Sequence, residues 1–390
     1  VVLATETLAA GINMPARTVV ITSPEKPSSN PMAENGRRNL TPNEYHQMSG
    51  RAGRRGIDTR GHVINMTVNP TNEEIFKKLV VSDPNSIFSV FEPDYSLIAS
   101  YHKYTQDPEK IKNIFANSFK IFAAGESKND KKINSMYKKY EAKADLMAEE
   151  GFLSIDKDRN KTLTAKGEML HNIIGYPQIP LINLISSHAL QRMTPEELVY
   201  LAGSIVGGQY HSNNQYDEVN NLFVNPARVI KNNLFNIKRF IDENPAQKDF
   251  SNIQNAVNKF NMFNTKYKKE LGDFKINDDL AQNLNHDVGA LIYTFAYLNA
   301  QRRNKSISNW ELTTSLIPQK GAIKDEGGYY NAVNQTIDLL SQMIDLCNDT
   351  KNIYGLQNDR MYYRILADKL KIAILLLKQD PIQSYVYEKD

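Results

Sequence analysis

The stretch Gln47–Gly56 reads Q-M-S-G-R-A-G-R-R-G, and the rest of the chain is most simply explained around it. It sets Arg51, Arg54 and Arg55 among Gly50, Gly53 and Gly56, directly after the polar Gln47. Glycine lets a backbone approach a ligand closely or take positive φ, and a guanidinium fork meets phosphate oxygens with paired donors. The pattern points to phosphate chemistry. Its plain alternative is a solvated basic loop, since arginine clusters also serve as nucleic-acid or localisation patches.

Around this stretch the sequence alternates strand and helix signals. Val1 to Ala4, Val19 to Ile21 and Val63 to Val68 are short β-branched or apolar runs. Thr41 followed by Pro42 and Glu44 is an N-cap with proline in the first turn, which predicts a helix from Pro42 to about Ala52. Strands alternating with helices imply a parallel α/β sheet, here with too few strands for a complete domain. Ser23 to Asn39, rich in Pro, Ser and Asn and carrying Lys26, Arg37 and Arg38, reads as a surface loop.

From Asp83 onward the pattern is helical. Ile111, Ile114, Phe115, Phe119 and Phe122 are predicted to share one helical face, and a helix with a basic start runs from about Asp130 to Glu150 until Gly151 stops it. Phe152–Ile155 and Thr162–Thr164 flank a polar turn as a hairpin, and Ala165 begins another helix. Beyond about Ile173, Thr194 with Pro195 and Glu197 opens a helix carrying Leu198, Leu201, Ile205 and Val206. Further stripes are Val288, Leu291, Ile292, Phe295 and Leu366, Leu370, Ala373, Leu377. Such stripes are read as core.

The bulk numbers set limits. A chain of 390 residues with 41% hydrophobic and 23% charged residues is ordinary globular material, long enough for several domains. A net charge of +3 is too mild to argue for or against nucleic acid, because a local basic groove suffices. The single cysteine, Cys347, excludes an internal disulfide or thiolate zinc site and suits a reducing, intracellular setting, cytoplasmic or nuclear. The seven histidines form no H-x-x-x-H pair, so no metal site is expected. The apolar run Ile372–Leu377 is far short of the roughly 18 residues that would span a bilayer. The start, V-V-L-A, has neither an initiator Met nor a signal pattern, and reads as an excerpt of a longer protein.

The spacing Q-x-x-G-R-x-G-R resembles motif VI of superfamily 2 helicases, and its extended form is similar to that of DExH-box RNA helicases of the superkiller type. Val1–Pro15, V-V-L-A-T-E-T-L-A-A-G-I-N-M-P, resembles motif V of the same group and lies upstream in the order the family requires. D-L-M-A-E-E-G-F-L followed by L-T-A-K-G resembles the family's winged helix. M-T-P-E-E-L-V-Y-L-A-G-S-I-V and D-E-G-G-Y-Y-N-A-V-N-Q-T-I-D-L-L resemble, more by pattern than identity, its C-terminal helical domain.

The resemblance implies a multidomain, mainly α chain. Residues 1–82 would be the C-terminal part of a second RecA-like α/β domain, 83–172 a winged helix that braces the motor, and 173–390 an α-helical bundle. It implies the C-terminal portion of an ATP-dependent RNA helicase, with ATP bound between two RecA-like domains. Arg54 matches the arginine finger, Arg51 the adjacent phosphate contact, and Gln47 the residue coupling nucleotide to the motif. Gly50 and Gly53 would admit the phosphates, Gly11 and Asn13 match a turn near the nucleotide, and Thr5 and Thr7 match positions that hold an RNA phosphate. Arg55 matches no role and reads as a surface salt bridge. ATP and Mg2+ are implied for the full-length enzyme and neither for this fragment alone. The sequence has no G-x-x-x-x-G-K-[ST] and no D-E-x-H box, so the fragment is expected to be inactive by itself.

Implied partners are single-stranded RNA, with DNA as an alternative, and proteins docking on the helical domain; no membrane partner is implied. A DNA-directed helicase of the same superfamily and a helical scaffold recruiting RNA-processing partners are the competing readings. Two departures stand out. The family's arginines on the helix after the E-G pair are replaced by Asn331, Asn334 and Gln335, and no room is left for a large arch insertion before the wing.

Overall fold

The computed structural model describes residues 1–3, 15–27, 37–87, 89, 91–105, 107–123, 130–157, 160–208, 251–272, 284–301, 326–349 and 359–378. Contacts divide the chain into two units, Val1–Ser89 and Val90–Asp390. Helices dominate the described residues, as expected for a mainly α chain.

In the first unit, β1 (Thr18–Ile21) is followed by a hairpin of β2 (Glu25–Pro27) and β3 (Arg37–Asn39), helix α1 (Pro42–Ser49), β4 (His62–Asn65) and α2 (Pro70–Val81). β1 and β4 pair in parallel, Thr18 opposite His62 through Ile21 opposite Asn65. β2 and β3 pair antiparallel, Lys26 opposite Arg38, which corrects the loop reading at Glu25–Pro27 and Arg37–Asn39; residues 28–36 of that stretch lie outside the described residues. Composition missed the pairing because a tertiary charge stabilises it. Glu44 on α1 accepts from Arg38 Nη1 and Nη2 at 2.8 and 2.6 Å and from Lys26 Nζ at 2.8 Å.

The expected cap on α1 is present as a full capping box. The Thr41 side chain accepts from Glu44 N, and the Glu44 carboxylate accepts from Thr41 N. The helix is shorter than expected, ending at Ser49 before Gly50. Ile21, Leu40, Tyr45, Phe76 and Leu79 form the small core. Polar bonds fix α1 within it: Asn65 donates to Tyr45 Oη at 3.1 Å, and His46 Nε2 lies 2.7 Å from the Ser82 carbonyl.

The second unit opens with α3 (Tyr95–Tyr104), α4 (Pro108–Ala116), α5 (Phe119–Ala123) and α6 (Asp130–Glu149). Gly151 at φ +77° ends α6. β5 (Leu153–Ile155) and β6 (Lys161–Leu163) then form the expected antiparallel hairpin, followed by α7 (Ala165–Glu168). The expected single stripe from Ile111 to Phe122 is not formed. The helix breaks at Asn117, where its side chain and N–H turn back to the Asn113 carbonyl, and the restart as α5 changes the facing residues. Ile111 and Phe115 are buried, Ile121 joins them, and Ile114, Phe119 and Phe122 point outward.

α8 (Gln178–Ser186), α9 (Pro195–Gly207), α10 (Ser251–Gly272), α11 (His286–Gln301), α12 (Glu326–Asp349) and α13 (Arg360–Lys378) complete the unit. One core runs from Tyr95 to Leu377 and takes in every residue of the three expected stripes. α9 has the expected Thr194–Glu197 capping box and is buried from Glu197 to Gly207. It meets α11 almost backbone to backbone: a Cβ on Gly289 would stand 1.9 Å from Ser204 Oγ and 2.7 Å from the Tyr200 carbonyl oxygen. At the start of α11, His286 Nδ1 lies 2.8 Å from Tyr200 Oη, and burial lowers the His286 pKa to about 4. Among the described residues, no helix is long and apolar enough to cross a membrane.

Candidate functional site

The arginine loop grows out of the C-terminus of α1. Gly50 N donates to the His46 carbonyl at 2.8 Å, Arg51 N to Met48 at 3.2 Å and Ala52 N to Ser49 at 3.0 Å, so the helix tightens and then releases the chain. The released loop is pinned from the other side. Ala16 N donates to the Arg51 carbonyl at 2.9 Å, and Gly53 N donates to the Ala16 carbonyl at 2.7 Å, a parallel bridge between Ala16 and Ala52. Ala16 follows directly on Pro15, so the loop is tied to the end of the V-V-L-A…N-M-P stretch.

Gly53 sits at φ +93°, the left-handed region where a side chain would be strained, and this turn sends the chain from the bridge toward Arg54. From Arg54 the chain turns again, with Ile57 N and Asp58 N both donating to the Arg54 carbonyl. Gln47, Gly50, Arg55 and Gly56 are exposed, and Arg51, Gly53 and Arg54 are half-buried. The loop therefore exposes Arg55 and Gly56 and keeps Arg51 and Arg54 half-buried, on a base fixed by α1 and Ala16.

Asp58 was not singled out in the sequence, and it holds Arg54. Its Oδ2 accepts Arg54 Nε at 2.8 Å and Arg54 N at 3.0 Å, and its Oδ1 accepts Nη2 at 2.8 Å. The Arg54 hydrogen bonds lower the Asp58 pKa to about 2, so the pair is ionised at neutral pH. The spacing of four from an arginine was the available signal. Gly61 was missed as well; its role, passing the chain against the loop backbone, leaves no mark in the local sequence. Arg55 makes no ion pair among the described residues, so the expected surface salt bridge is not formed.

The chain is similar to known proteins over part of its length. The chain is 40% identical over 132 residues to a chloroplastic DExH-box ATP-dependent RNA helicase of Arabidopsis thaliana, covering 34% of this chain and 11% of that protein. It is 37% identical over 123 residues to superkiller complex protein 2 of Homo sapiens, covering 31% and 9%. The chain is a relative of the superkiller-type DExH-box RNA helicases. A longer match, 33% identical over 192 residues, to an uncharacterized helicase of Schizosaccharomyces pombe covers 49% of the chain and 18% of the relative. The matched stretch thus spans less than a fifth of these three relatives' lengths. No protein-family model matches the chain.

Of the residues that the superkiller-type resemblance singles out, Arg51, Arg54, Gly50, Gly53 and Gln47 share one loop and helix end. Thr5, Thr7, Gly11 and Asn13 lie outside the described residues. On α12, Asn331 and Asn334 are exposed and Gln335 is half-buried, its carbonyl accepting from Tyr176 Oη at 3.0 Å. No group of three or more His, Cys, Asp or Glu among the described residues could hold a metal ion.

Proposed function

We propose that this chain is the C-terminal portion of an ATP-dependent RNA helicase of the superkiller type, one that moves along a single RNA strand. ATP binds between two RecA-like domains, and residues 1–82 contribute part of the second. The loop after α1 meets the nucleotide: Arg54 stabilises charge developing on the γ-phosphate, Arg51 contacts a neighbouring phosphate oxygen and Gln47 links the nucleotide to the motif. Gly50 and Gly53, with Gly11 and Asn13, let backbone come close to the phosphates, and Thr5 and Thr7 hold an RNA phosphate without reading sequence. Phosphoryl transfer depends chiefly on positioning and charge stabilisation, for which arginines on a fixed loop are suited. Residues 83–172 act as a winged helix bracing the motor and 173–390 as the helical bundle.

The observation that carries the reading is the Arg51–Arg54 loop, anchored by Ala16 with the Arg54 side chain 42% exposed, in a chain related to RNA helicases. Its test is RNA-stimulated ATP hydrolysis by the full-length polypeptide that contains this chain. Arg54→Ala should lower kcat by roughly 10³ to 10⁵; unchanged turnover would overturn the assignment. The uncharged, exposed Asn331 and Asn334 favour a second reading, in which the helical region recruits a protein instead of gripping RNA.

A further inference from the structure

We infer that Asp58 is the positioning residue for Arg54, presetting the guanidinium for phosphate contact; this rests on the reading of Arg54 as the arginine finger. The carboxylate takes two edges of the same residue at once, the Nε and Nη2 hydrogens of the side chain and the backbone N–H. With Asp58 N and Ile57 N both bonded to the Arg54 carbonyl, the segment from 54 to 58 closes into a turn whose backbone and side chain are fixed together.

The pair is asymmetric. The Asp58 side chain is 8% exposed and the Arg54 side chain 42%. The buried member is the anchor and the exposed member is the working group. A guanidinium carries five N–H donors, and this fork uses one on Nε and one on Nη2. Both Nη1 hydrogens and the second Nη2 hydrogen lie outside the fork, enough for a paired contact to phosphate oxygens. Side-chain freedom that a phosphate would otherwise have to freeze is removed beforehand, which favours the transition state.

The opposite role, in which Asp58 holds the arginine away from nucleotide, fits the geometry less well. The carboxylate sits within the loop itself, four residues from Arg54, and moves with it. Sequestration also calls for an acceptor that occupies the outward donors, whereas Asp58 occupies the inner edge.

The experiment compares Arg54→Ala, Asp58→Asn and the double variant in the full-length polypeptide that contains this chain, reading kcat and KM for ATP with RNA present. Asparagine keeps the size of the side chain and replaces one acceptor by a donor. Asp58→Asn is expected to lower kcat about 10²-fold, the scale of a small misplacement of a reacting group, with little change in KM. In the Arg54→Ala background it should cost nothing more. If Asp58→Asn lowers kcat equally in both backgrounds, Asp58 is merely structural and the inference fails; if it raises kcat, Asp58 sequesters the arginine and the inference also fails. Unchanged kcat in Arg54→Ala would instead bring down the finger reading beneath it. Should Asp58→Asn not fold, Asp58→Glu keeps the charge one methylene further out and is expected to show the same kcat-specific loss, again absent from the Arg54→Ala background; a loss in that background overturns the inference.

Discussion

Gly61 runs against Ala52 so closely that a Cβ on Gly61 would stand 2.5 Å from the Ala52 carbonyl carbon and 2.6 Å from Gly53 N. The obstacle is backbone, which has no rotamer to yield. His62 N, the next residue, donates to the Arg17 carbonyl at 3.0 Å and starts the parallel pairing of β4 with β1. A side chain at 61 must therefore push the arginine loop off its base or shift the strand. Gly61→Ala should destabilise the first unit by about 1–3 kcal/mol, the usual cost of forced overpacking. Urea unfolding followed by a probe in that unit would show a lower midpoint at unchanged slope. An unchanged midpoint would mean that the close approach does not constrain the loop.

The Glu44 carboxylate offers a prediction in pH. Hydrogen bonds from Arg38, then from Lys26 and Thr41, outweigh its desolvation and hold it well below the usual carboxylate range. A carboxyl whose folded pKa is depressed takes up protons more readily in the unfolded state, so its contribution is full above the ordinary value of 4.5 and lost as pH falls below that. Wild type should exceed Glu44→Gln in stability at pH 7, and the gap should narrow progressively once the pH passes below about 4.5. Urea midpoints of the two proteins at pH 7, 5 and 3.5 test this, and a gap constant across the series would sink it. Comparing the pair cancels the titration of Asp58 and the other acids they share.

How much of this was legible in the sequence depends on whether the cause is local. Thr41 and Thr194 announced their helices because a capping box needs only residues three apart, and Gly151 announced the end of α6 because an αL stop is a property of one residue. The apolar stripes of α9, α11 and α13 were legible from periodicity. The break between α4 and α5 was not: Asn113 and Asn117 can sit in a helix as well as end one, and only the competing side-chain bond to the Asn113 carbonyl decides. The β2–β3 hairpin was hidden for the opposite reason, since its support comes from Glu44 on a different element. In the candidate site, the glycine-flanked arginines could be read directly. Their anchors were harder to read: Ala16 and Gly61 act through backbone alone, and Asp58 left only its spacing of four from Arg54, which the turn after Gly53 makes into a contact.

If α12 lies along the RNA, its outward Asn331 and Asn334 can bond to bases or phosphates but release no counterions, so they add nothing to the salt dependence of binding. Fluorescent single-stranded RNA should then bind this chain with an affinity that falls between about 50 and 200 mM salt through its other cations. Asn334→Arg should strengthen that binding and steepen the slope of log K against log salt by about one, the signature of one added phosphate contact. The same substitution should leave the urea midpoint nearly unchanged, because position 334 is exposed. If neither protein binds RNA at low salt, or if Asn334→Arg leaves the slope where it was, α12 is not on the RNA path. The uncharged face of α12 would then weigh toward a helical region that docks a protein, and the grip on RNA would have to be sought in the RecA-like domains.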